Sequence, residues 1–188
     1  LRAYIAYRKD LEKPSRVDLE VLNEEYWHKY LRLGRPAFAN VWSDELELAG
    51  IKADALITEK QRLAITKRMA GVRKGDVVFV AFMPRGLGLS ALTQDKQHIT
   101  QTRRRFMLLG QTLAGMQVWD VRRCVRLVRE LGYECPLTLW GYDSTSSQVA
   151  LAALYEQIAT VHVKGYPKND KVLPDYLNIS RIATPAQI

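Results

Sequence analysis

Residues 77–82 form the segment that most constrains the fold of this chain. They read VVFVAF, an unbroken run of β-branched and aromatic residues between Gly75 and Pro84. A run that is this short and this apolar is typical of a strand that is buried on both faces. We therefore predict a strand here and expect other elements to cover both of its faces.

The chain beyond this strand alternates between predicted helices and predicted strands. Apolar periodicity predicts helices over residues 99–109, 113–131 and 148–158, and apolar runs predict strands over 137–140 and 160–163. Strands that alternate with helices across short linkers lie parallel and are joined by right-handed crossovers. The predicted fold class is therefore α/β, a mostly parallel sheet with helices on both faces.

The first 76 residues give weaker signals. Residues 3–7 predict a strand, and residues 17–22 alternate between apolar and polar side chains as in a half-buried strand. Asn23 is placed to cap a helix that ends at Gly34. A further helix is predicted from Thr58.

Length and composition fit one globular domain. The 188 residues are 47% hydrophobic and 26% charged, which excludes disordered, collagen-like and low-complexity classes. No apolar run approaches the ~18 residues needed to cross a bilayer, so no membrane partner is predicted. We assign residues 1–188 to a single domain, with 77–188 as its core and 1–76 weakly assigned.

The cysteine pattern predicts neither a disulfide framework nor a metal site. Cys124 and Cys135 are the only cysteines, and they do not form a CxxC pair. We predict no cofactor and no metal.

The chain is basic, with 28 Lys and Arg against 20 Asp and Glu and a net charge of +8. Such a balance attracts polyanions without specifying one. The basic residues of the helical region include Arg103–Arg105, Arg122, Arg126 and Arg129, but no nucleic-acid-binding motif accompanies them. We therefore expect a solvated helix face with ion pairs to Asp120 and Glu130, and no specific nucleic-acid partner.

Two loops at predicted strand ends are candidate sites, because ligands of open α/β sheets bind beyond the carboxyl ends of the strands. The first loop, residues 83–90, contains Gly86 and Gly88, which allow sharp turns. The second loop is residues 141–145. An ordinary connection without chemistry is the alternative for both loops.

The second loop has the spacing of a nucleophile elbow. In the pattern G-x-nucleophile-x-G, the nucleophile is held exposed on a strained turn above the sheet. Gly141 fits the first glycine, so Asp143 takes the nucleophile position. Thr145 replaces the second glycine, and its side chain is expected to crowd the adjoining helix and strand. Ser144 is the alternative nucleophile if the turn is shifted by one residue.

The order of these features resembles part of the α/β-hydrolases. The loop Arg85-Gly86-x-Gly88-x-Ser90 is similar to their RGxGxS loop. The run RRRFMLLGQTLAGMQVWDVRR over Arg103–Arg123 resembles a helical feature of acetylxylan esterase and cephalosporin-C deacetylase-like members. The resemblance covers Val77 to Ile188 and implies the hydrolase fold.

The resemblance also implies site residues. Members of that family cleave carboxylic esters with a Ser-His-acid triad, and backbone N–H groups stabilise the oxyanion. Carried over, the nucleophile position falls on Asp143, the acid on Asp170 or Asp175, and the oxyanion loop near Arg8 to Asp10.

The histidines do not follow the family's chain order. His162 lies inside a predicted strand, which favours a structural role, and His28 and His98 come too early in the chain. Because a serine hydroxyl needs a neighbouring base to become nucleophilic, ordinary turnover by this chain is not expected.

Two hypotheses follow. In the first, the chain is a fragment of an esterase whose histidine loop lies beyond Ile188, Ser144 is its nucleophile, and a small ester or acetylated carbohydrate is its substrate. In the second, the hydrolase fold has lost its triad and serves as a binding or assembly domain. Asp143 favours the second, since truncation does not remove a serine from inside the chain. Compartment and oligomeric state are not predicted.

Overall fold

Five strands and five α-helices make up the described part of the chain. The computed structural model describes residues 2–38, 42–52, 58–60, 63, 67, 75–91 and 95–167. The strands are β1 Ala3–Ala6, β2 Arg16–Val21, β3 Val77–Phe82, β4 Leu137–Tyr142 and β5 Thr160–Lys164. The helices are α1 Glu24–Phe38, α2 Ser43–Leu48, α3 Lys96–Leu108, α4 Leu113–Glu130 and α5 Ser146–Ala153.

The strands form one mostly parallel sheet in the order β1-β3-β2-β4-β5. Strands β2 to β5 pair in parallel, and β1 pairs antiparallel with β3 at one edge. In the register, Val21 of β2 lies between Phe82 of β3 and Gly141 of β4, which in turn pairs with Val163 of β5. The carboxyl ends of four strands therefore meet at one edge of the sheet.

Helices cover both faces of this sheet. On one face, α4 and α5 bury a core with the inward side of β2, β3 and β4, formed by Val17, Leu19, Val21, Val78, Val80, Phe82, Val121, Cys124, Val125, Val128, Leu137, Leu139, Val149 and Ala152. On the other face, α1 and α2 bury a second cluster, formed by Leu22, Trp27, Leu31, Trp42, Leu46, Ile51 and Ala81. The predicted fold class, α/β with a mostly parallel sheet and helices on both faces, is confirmed.

The strand predicted over residues 77–82 is buried as its composition requires. Val78, Val80 and Phe82 face the first core, and Ala81 faces the second. Fully burying a side chain the size of valine or phenylalanine contributes about 1.5–3 kcal/mol relative to exposure. Because β3 has buried side chains in both clusters, it stabilises the packing on both faces of the sheet.

The N-terminal predictions were partly wrong. Residues 17–22 were expected to form a half-buried strand, but β2 is the central strand of the sheet and even Asp18 is buried. Gly34 was expected to end α1, yet the helix runs on to Phe38. A glycine ends a helix when it adopts a positive φ, and Gly34 is not among the glycines that do so. The helix α2 was not predicted.

The C-terminal helix boundaries follow the sequence more closely. Helix α4 ends before Gly132, whose φ of +89° provides the left-handed cap that was predicted. Helix α5 was predicted over residues 148–158. It runs instead from Ser146 to Ala153, so it begins earlier, ends earlier and is shorter than expected. Most of the helix predicted from Thr58 lies outside the described residues. None of the described helices is both long enough and apolar enough to span a membrane.

The ion pairs predicted for the arginines of α4 were also wrong. Arg122 and Arg126 both donate to Glu156, over 2.8 and 2.9 Å, rather than to Asp120 or Glu130. Glu156 follows α5 and is distant in sequence, so helical spacing did not point to it. Asp120 instead faces inward and binds a loop at the carboxyl edge of the sheet.

Candidate functional site

A sharp strand-to-helix turn lies at the carboxyl end of β4. The strand ends at Tyr142, a single 3-10 turn covers residues 143–145, and α5 begins at Ser146. Asp143 has a φ of +46°, and it is the one non-glycine residue with a positive φ among those described. A positive φ is costly for an L-residue and marks strain that concentrates at functional turns. Residues 141–145, here called the elbow, therefore form a sharp turn with Asp143 at its apex in the left-handed region.

Gly141 makes this turn possible by allowing close packing. A Cβ at this position would lie 2.9 Å from Val149 Cγ2 and 3.0 Å from Ser146 Cα. The second contact is with backbone, which does not move aside easily. Gly141 thus lets α5 pack directly onto the last residues of β4, as the first glycine of an elbow does.

Thr145 was expected to crowd the turn, and that expectation was wrong. Its side chain is buried, and its hydroxyl accepts a hydrogen bond from the Tyr142 N–H at 3.1 Å. The same hydroxyl lies 2.9 Å from the Val21 carbonyl oxygen, to which it donates. Thr145 therefore ties the elbow to the end of the central strand β2, and its side chain replaces the close backbone contact that a glycine would give.

The loop between β2 and α1 lies against one side of the turn after β4. Asn23 caps α1 as predicted, since its Oδ1 accepts from the Tyr26 N–H at 2.8 Å. Its Nδ2 also donates to the Tyr142 carbonyl at 3.1 Å. The ring of Tyr26 stacks on the ring of Tyr142 with 3.9 Å between centroids and 13° between planes. The start of α1 is thus fixed against the residue that precedes Asp143.

The end of β5 lies on the other side of the turn after β4. Lys164 Nζ donates to Tyr26 Oη at 3.1 Å, and this hydrogen bond raises the pKa of Lys164, with a smaller contribution from the charge of Asp143. The next residue, Gly165, has a φ of +71°, and a Cβ there would clash with the Asp143 carboxylate. The exposed carboxylate of Asp143 therefore sits beside a glycine and within the field of a lysine.

The glycine loop after β3 is anchored by a buried carboxylate. The Arg85 N–H and its Nε both donate to Asp120 Oδ2, at 2.9 and 2.8 Å, and Nη2 donates to Oδ1. The side chain of Asp120 is 1% exposed, and the hydrogen bonds to it raise the pKa of Arg85. Arg85 and Asp120 are two of the residues that carry the hydrolase resemblance, and the structure shows that they bind each other.

A series of hydrogen bonds between buried side-chain amides links this loop to α5, the helix that follows the elbow. Gln117 Nε2 donates to the Arg85 carbonyl at 2.9 Å, and Gln148 Nε2 donates to Gln117 Oε1 at 3.0 Å. Ser147 Oγ then donates to Gln148 Oε1 at 3.1 Å. This network was not predicted, because its two long-range hydrogen bonds join residues 32 and 31 positions apart, in the loop after β3, in α4 and in α5.

A further contact joins the glycine loop to α1. The Gly88 N–H donates to Glu24 Oε2 at 3.1 Å, and Glu24 Oε1 lies 3.6 Å from His28 Nε2. The contact between Gly88 and Glu24 was not predicted. The pairing is invisible in the sequence, since the two residues are separated by 64 positions.

The oxyanion loop implied near Arg8 to Asp10 was misplaced. That segment follows β1, which is antiparallel, so it lies at the amino end of β3, away from the elbow. In hydrolases the oxyanion N–H groups come from the residue after the nucleophile and from the loop after a neighbouring parallel strand. In this sheet the loop Leu22–Asn23 adjoins the turn after β4, because β2 lies beside β4.

The remaining candidate residues are distributed as follows. Ser144 is exposed in the 3-10 turn, directly after Asp143. Asp170 and Asp175 lie outside the described residues. Within the described part of the chain, no group of three or more His, Cys, Asp or Glu is arranged to hold a metal ion.

The contacts of the three histidines lie away from Asp143. His28 pairs with Glu24, and His98 lies 3.1 Å from Asp95 at the start of α3. His162 stacks on Trp140 across the β4–β5 pair, with 4.0 Å between ring centroids. Its contact is with a neighbouring strand, although the side chain is exposed.

Comparison with known proteins gives a relationship at the level of the fold. A solved structure from Bacteroides fragilis, described as a "putative acetyl xylan esterase", superposes with a TM-score of 0.51 and 12% sequence identity. The match covers 85% of this chain and 39% of that chain, so this chain spans about two fifths of that protein's length. No protein-family model and no curated protein sequence matches the chain. The fold is therefore α/β and is similar, at the level of the fold alone, to that of this structure.

Proposed function

We propose that the protein is related to the carboxylic ester hydrolases and uses its elbow to bind a ligand rather than to cleave an ester by the serine mechanism. The observation that carries this proposal is the position of Asp143, at a positive φ on the turn between β4 and α5. The ligand class implied by the resemblance is a small ester or an acetylated carbohydrate.

The chemistry of Asp143 supports binding. A carboxylate accepts hydrogen bonds, so it can hold the hydroxyl groups of a partly acetylated sugar. It is not the nucleophile for acyl transfer that an activated serine is, since that role requires a hydroxyl whose proton a neighbouring base removes. The contacts described for the three histidines, with Glu24, Asp95 and Trp140, support the same proposal.

Turnover of p-nitrophenyl acetate by the full-length protein tests whether a serine mechanism operates. We expect wild-type protein and Ser144→Ala to show the same rate, close to the uncatalysed background, and neither to be labelled by a fluorophosphonate. A rate that Ser144→Ala abolishes would instead assign the nucleophile to Ser144 and favour an active esterase.

Binding of partly acetylated xylo-oligosaccharides tests the ligand. We expect saturable binding without release of acetate, weakened about tenfold by Asp143→Asn, because a charged acceptor makes stronger hydrogen bonds than an amide. Asp10→Asn is the matched control, since Asp10 is exposed at the opposite edge of the sheet. Absence of binding, or equal affinity of Asp143→Asn and wild type, would remove the elbow from ligand recognition.

A further inference from the structure

A cavity lies beyond the carboxyl ends of β2 and β3, on the face covered by α1 and α2. Its volume is about 340 Å³, at the lower end of the range of small-molecule sites. Trp27 and Tyr30 of α1, Tyr4 of β1 and Met83 at the end of β3 line it, together with Glu45 of α2. Residues of the glycine loop also line it, whereas the elbow residues 141–145 do not.

Glu45 is an acidic side chain that the fold buries almost completely. The residue is 1% exposed, and its Oε1 accepts a hydrogen bond from Arg2 Nη1 at 3.0 Å. Its Oε2 is buried and has no hydrogen-bond partner in the described part of the chain. A charged oxygen without a partner is costly to bury, so an occupant that donates a hydrogen bond to it would be stabilising.

A second unpaired polar atom belongs to another residue that lines the same cavity. The hydroxyl of Tyr4 is buried and, like Glu45 Oε2, has no partner among the described residues. Buried polar groups in native proteins are nearly always satisfied, and each exception requires an explanation. Both atoms belong to residues that line one cavity, where a polar ligand that reaches them would supply the missing partners.

The walls of the cavity are aromatic and held in place from behind. Trp42 is 2% exposed and packs edge-on against Tyr4, with 5.7 Å between ring centroids. It also packs against Tyr30 at 5.0 Å. Aromatic faces attract organic cations through the negative potential above the ring, especially where a carboxylate lies nearby.

The local charge favours a cation over an anion. Arg2 supplies one positive charge and is shared between Glu45 and the exposed Asp44, whose Oδ2 lies 3.5 Å from Arg2 Nη2. Asp44 is exposed and does not line the cavity, so the charged side chains of the lining are Glu45 and Arg2. A carboxylate accepts hydrogen bonds, so an ammonium group suits Glu45 Oε2, whereas a carboxylate or phosphate would be repelled by it.

We propose that this cavity binds a small organic cation, a protonated amine carried on a single aromatic or aliphatic body. The ammonium group donates to Glu45 Oε2, and the apolar body packs among Tyr4, Trp27, Tyr30 and Met83. The inference does not depend on the proposed function of the elbow, since none of residues 141–145 lines this cavity.

Titration of the full-length protein with phenethylamine, followed by NMR of the tryptophan indole N–H signals, tests the proposal. We expect a saturable shift of the Trp27 signal, while Trp119 and Trp140, which do not line the cavity, stay unmoved. Phenethylamine and 2-phenylethanol differ in the charged group alone, and we expect the alcohol to bind at least about tenfold more weakly.

Glu45→Gln and Asp44→Asn form a matched pair of variants. Glu45→Gln keeps the shape but removes the charge and is expected to weaken phenethylamine binding at least about tenfold. Asp44→Asn removes the neighbouring charge, on a side chain that is 62% exposed, and is expected to change the affinity by less than about twofold. Circular dichroism of each variant checks that it is folded.

Three results would overturn the proposal. They are no saturable shift of Trp27, equal binding of phenethylamine and 2-phenylethanol, and a folded Glu45→Gln that binds as wild type does. Equal binding of the alcohol would assign the cavity to neutral apolar ligands instead. If Glu45→Gln does not fold, the comparison of amine and alcohol on wild-type protein decides alone.

Discussion

Thr145 stands where a hydrolase elbow has its second glycine, and its hydroxyl bonds to both the Tyr142 N–H and the Val21 carbonyl. Spacing alone suggested a steric problem at this position. The actual role depends on which backbone groups lie within reach, and that is set by the neighbouring strand. The same holds for Asn23, whose capping role was predicted but whose hydrogen bond to the Tyr142 carbonyl was not.

Thr145→Val tests the role of that hydroxyl. Valine has the same shape, so the change removes hydrogen bonds from a buried site without making a cavity. We expect it to lower the free energy of unfolding by about 1–3 kcal/mol, measured by urea denaturation. Ser144→Ala, at the exposed neighbouring position, is the control and is expected to change it by less than about 0.5 kcal/mol. Equal stability of the two variants would contradict the bonding described for Thr145.

At the scale of elements, the pairing of the glycine loop with α4 explains why two separate sequence features occur together. Arg85 follows β3 and Asp120 lies in the middle of α4, and their hydrogen bonds fix the loop against the helix. The sequence predicted both elements and their order. It could not predict the pairing, because nothing in the local pattern states which arginine the buried aspartate meets.

Arg85→Gln tests this connection. Removing the guanidinium leaves the carboxylate of Asp120 buried with one remaining donor, and we expect a loss of about 2 kcal/mol of stability, less than for a fully buried pair because Arg85 is 40% exposed. The control is Arg123→Gln, which changes an exposed arginine of α4, the helix that carries Asp120. In a double-mutant cycle, Arg85→Gln with Asp120→Asn should lose less than the sum of the single changes. Additive losses would show that the two side chains do not interact.

The ion pairs of Glu156, which join α4 to the segment after α5, are expected to make the free energy of unfolding depend on pH. Burial favours its protonated form, but the hydrogen bonds from Arg122 and Arg126 outweigh burial and lower its pKa. A lowered pKa in the folded state gives stability that is present above the unfolded value, about 4.3, and is lost as the pH falls through the folded value.

The measurement is the difference in unfolding free energy between wild type and Glu156→Gln as a function of pH. We expect wild type to be more stable by about 1 kcal/mol at pH 7 and the difference to shrink as the pH falls below 4. Glu134→Gln, at an exposed position, controls for the loss of one negative charge. A difference that grows on acidification would have the wrong sign for this pairing.

Element boundaries show where sequence patterns were sufficient. The end of α4 was predicted because Gly132 adopts the left-handed conformation that its position suggests. The end of α1 was not, because Gly34 stays within the helix. The central place of β2 was also missed, since its charged residues at 18 and 20 suggested a half-exposed strand, whereas Asp18 is buried beside Arg16.

At the scale of the whole molecule, the sheet order brings together residues that are far apart in the chain. Because β2 lies between β3 and β4, the loop after it meets the elbow. The class of the fold followed from alternating strands and helices, but the order of the strands did not, since periodicity carries no information on which strands pair. The elbow, the glycine loop and the cavity beside Glu45 all lie at the carboxyl edge that this order creates.

The central claim is that Asp143 lies at a positive φ at the apex of the sharp turn between β4 and α5, and a comparison of Asp143→Gly with Asp143→Ala tests it most directly. Both variants lose the carboxylate, so their difference in unfolding free energy reports the backbone conformation. At a positive φ, glycine is favoured over alanine by about 1–2 kcal/mol, and we expect Asp143→Gly to be the more stable by this amount. In a regular strand or helix alanine is favoured by about 0.5–1 kcal/mol, so a more stable Asp143→Ala would contradict the elbow.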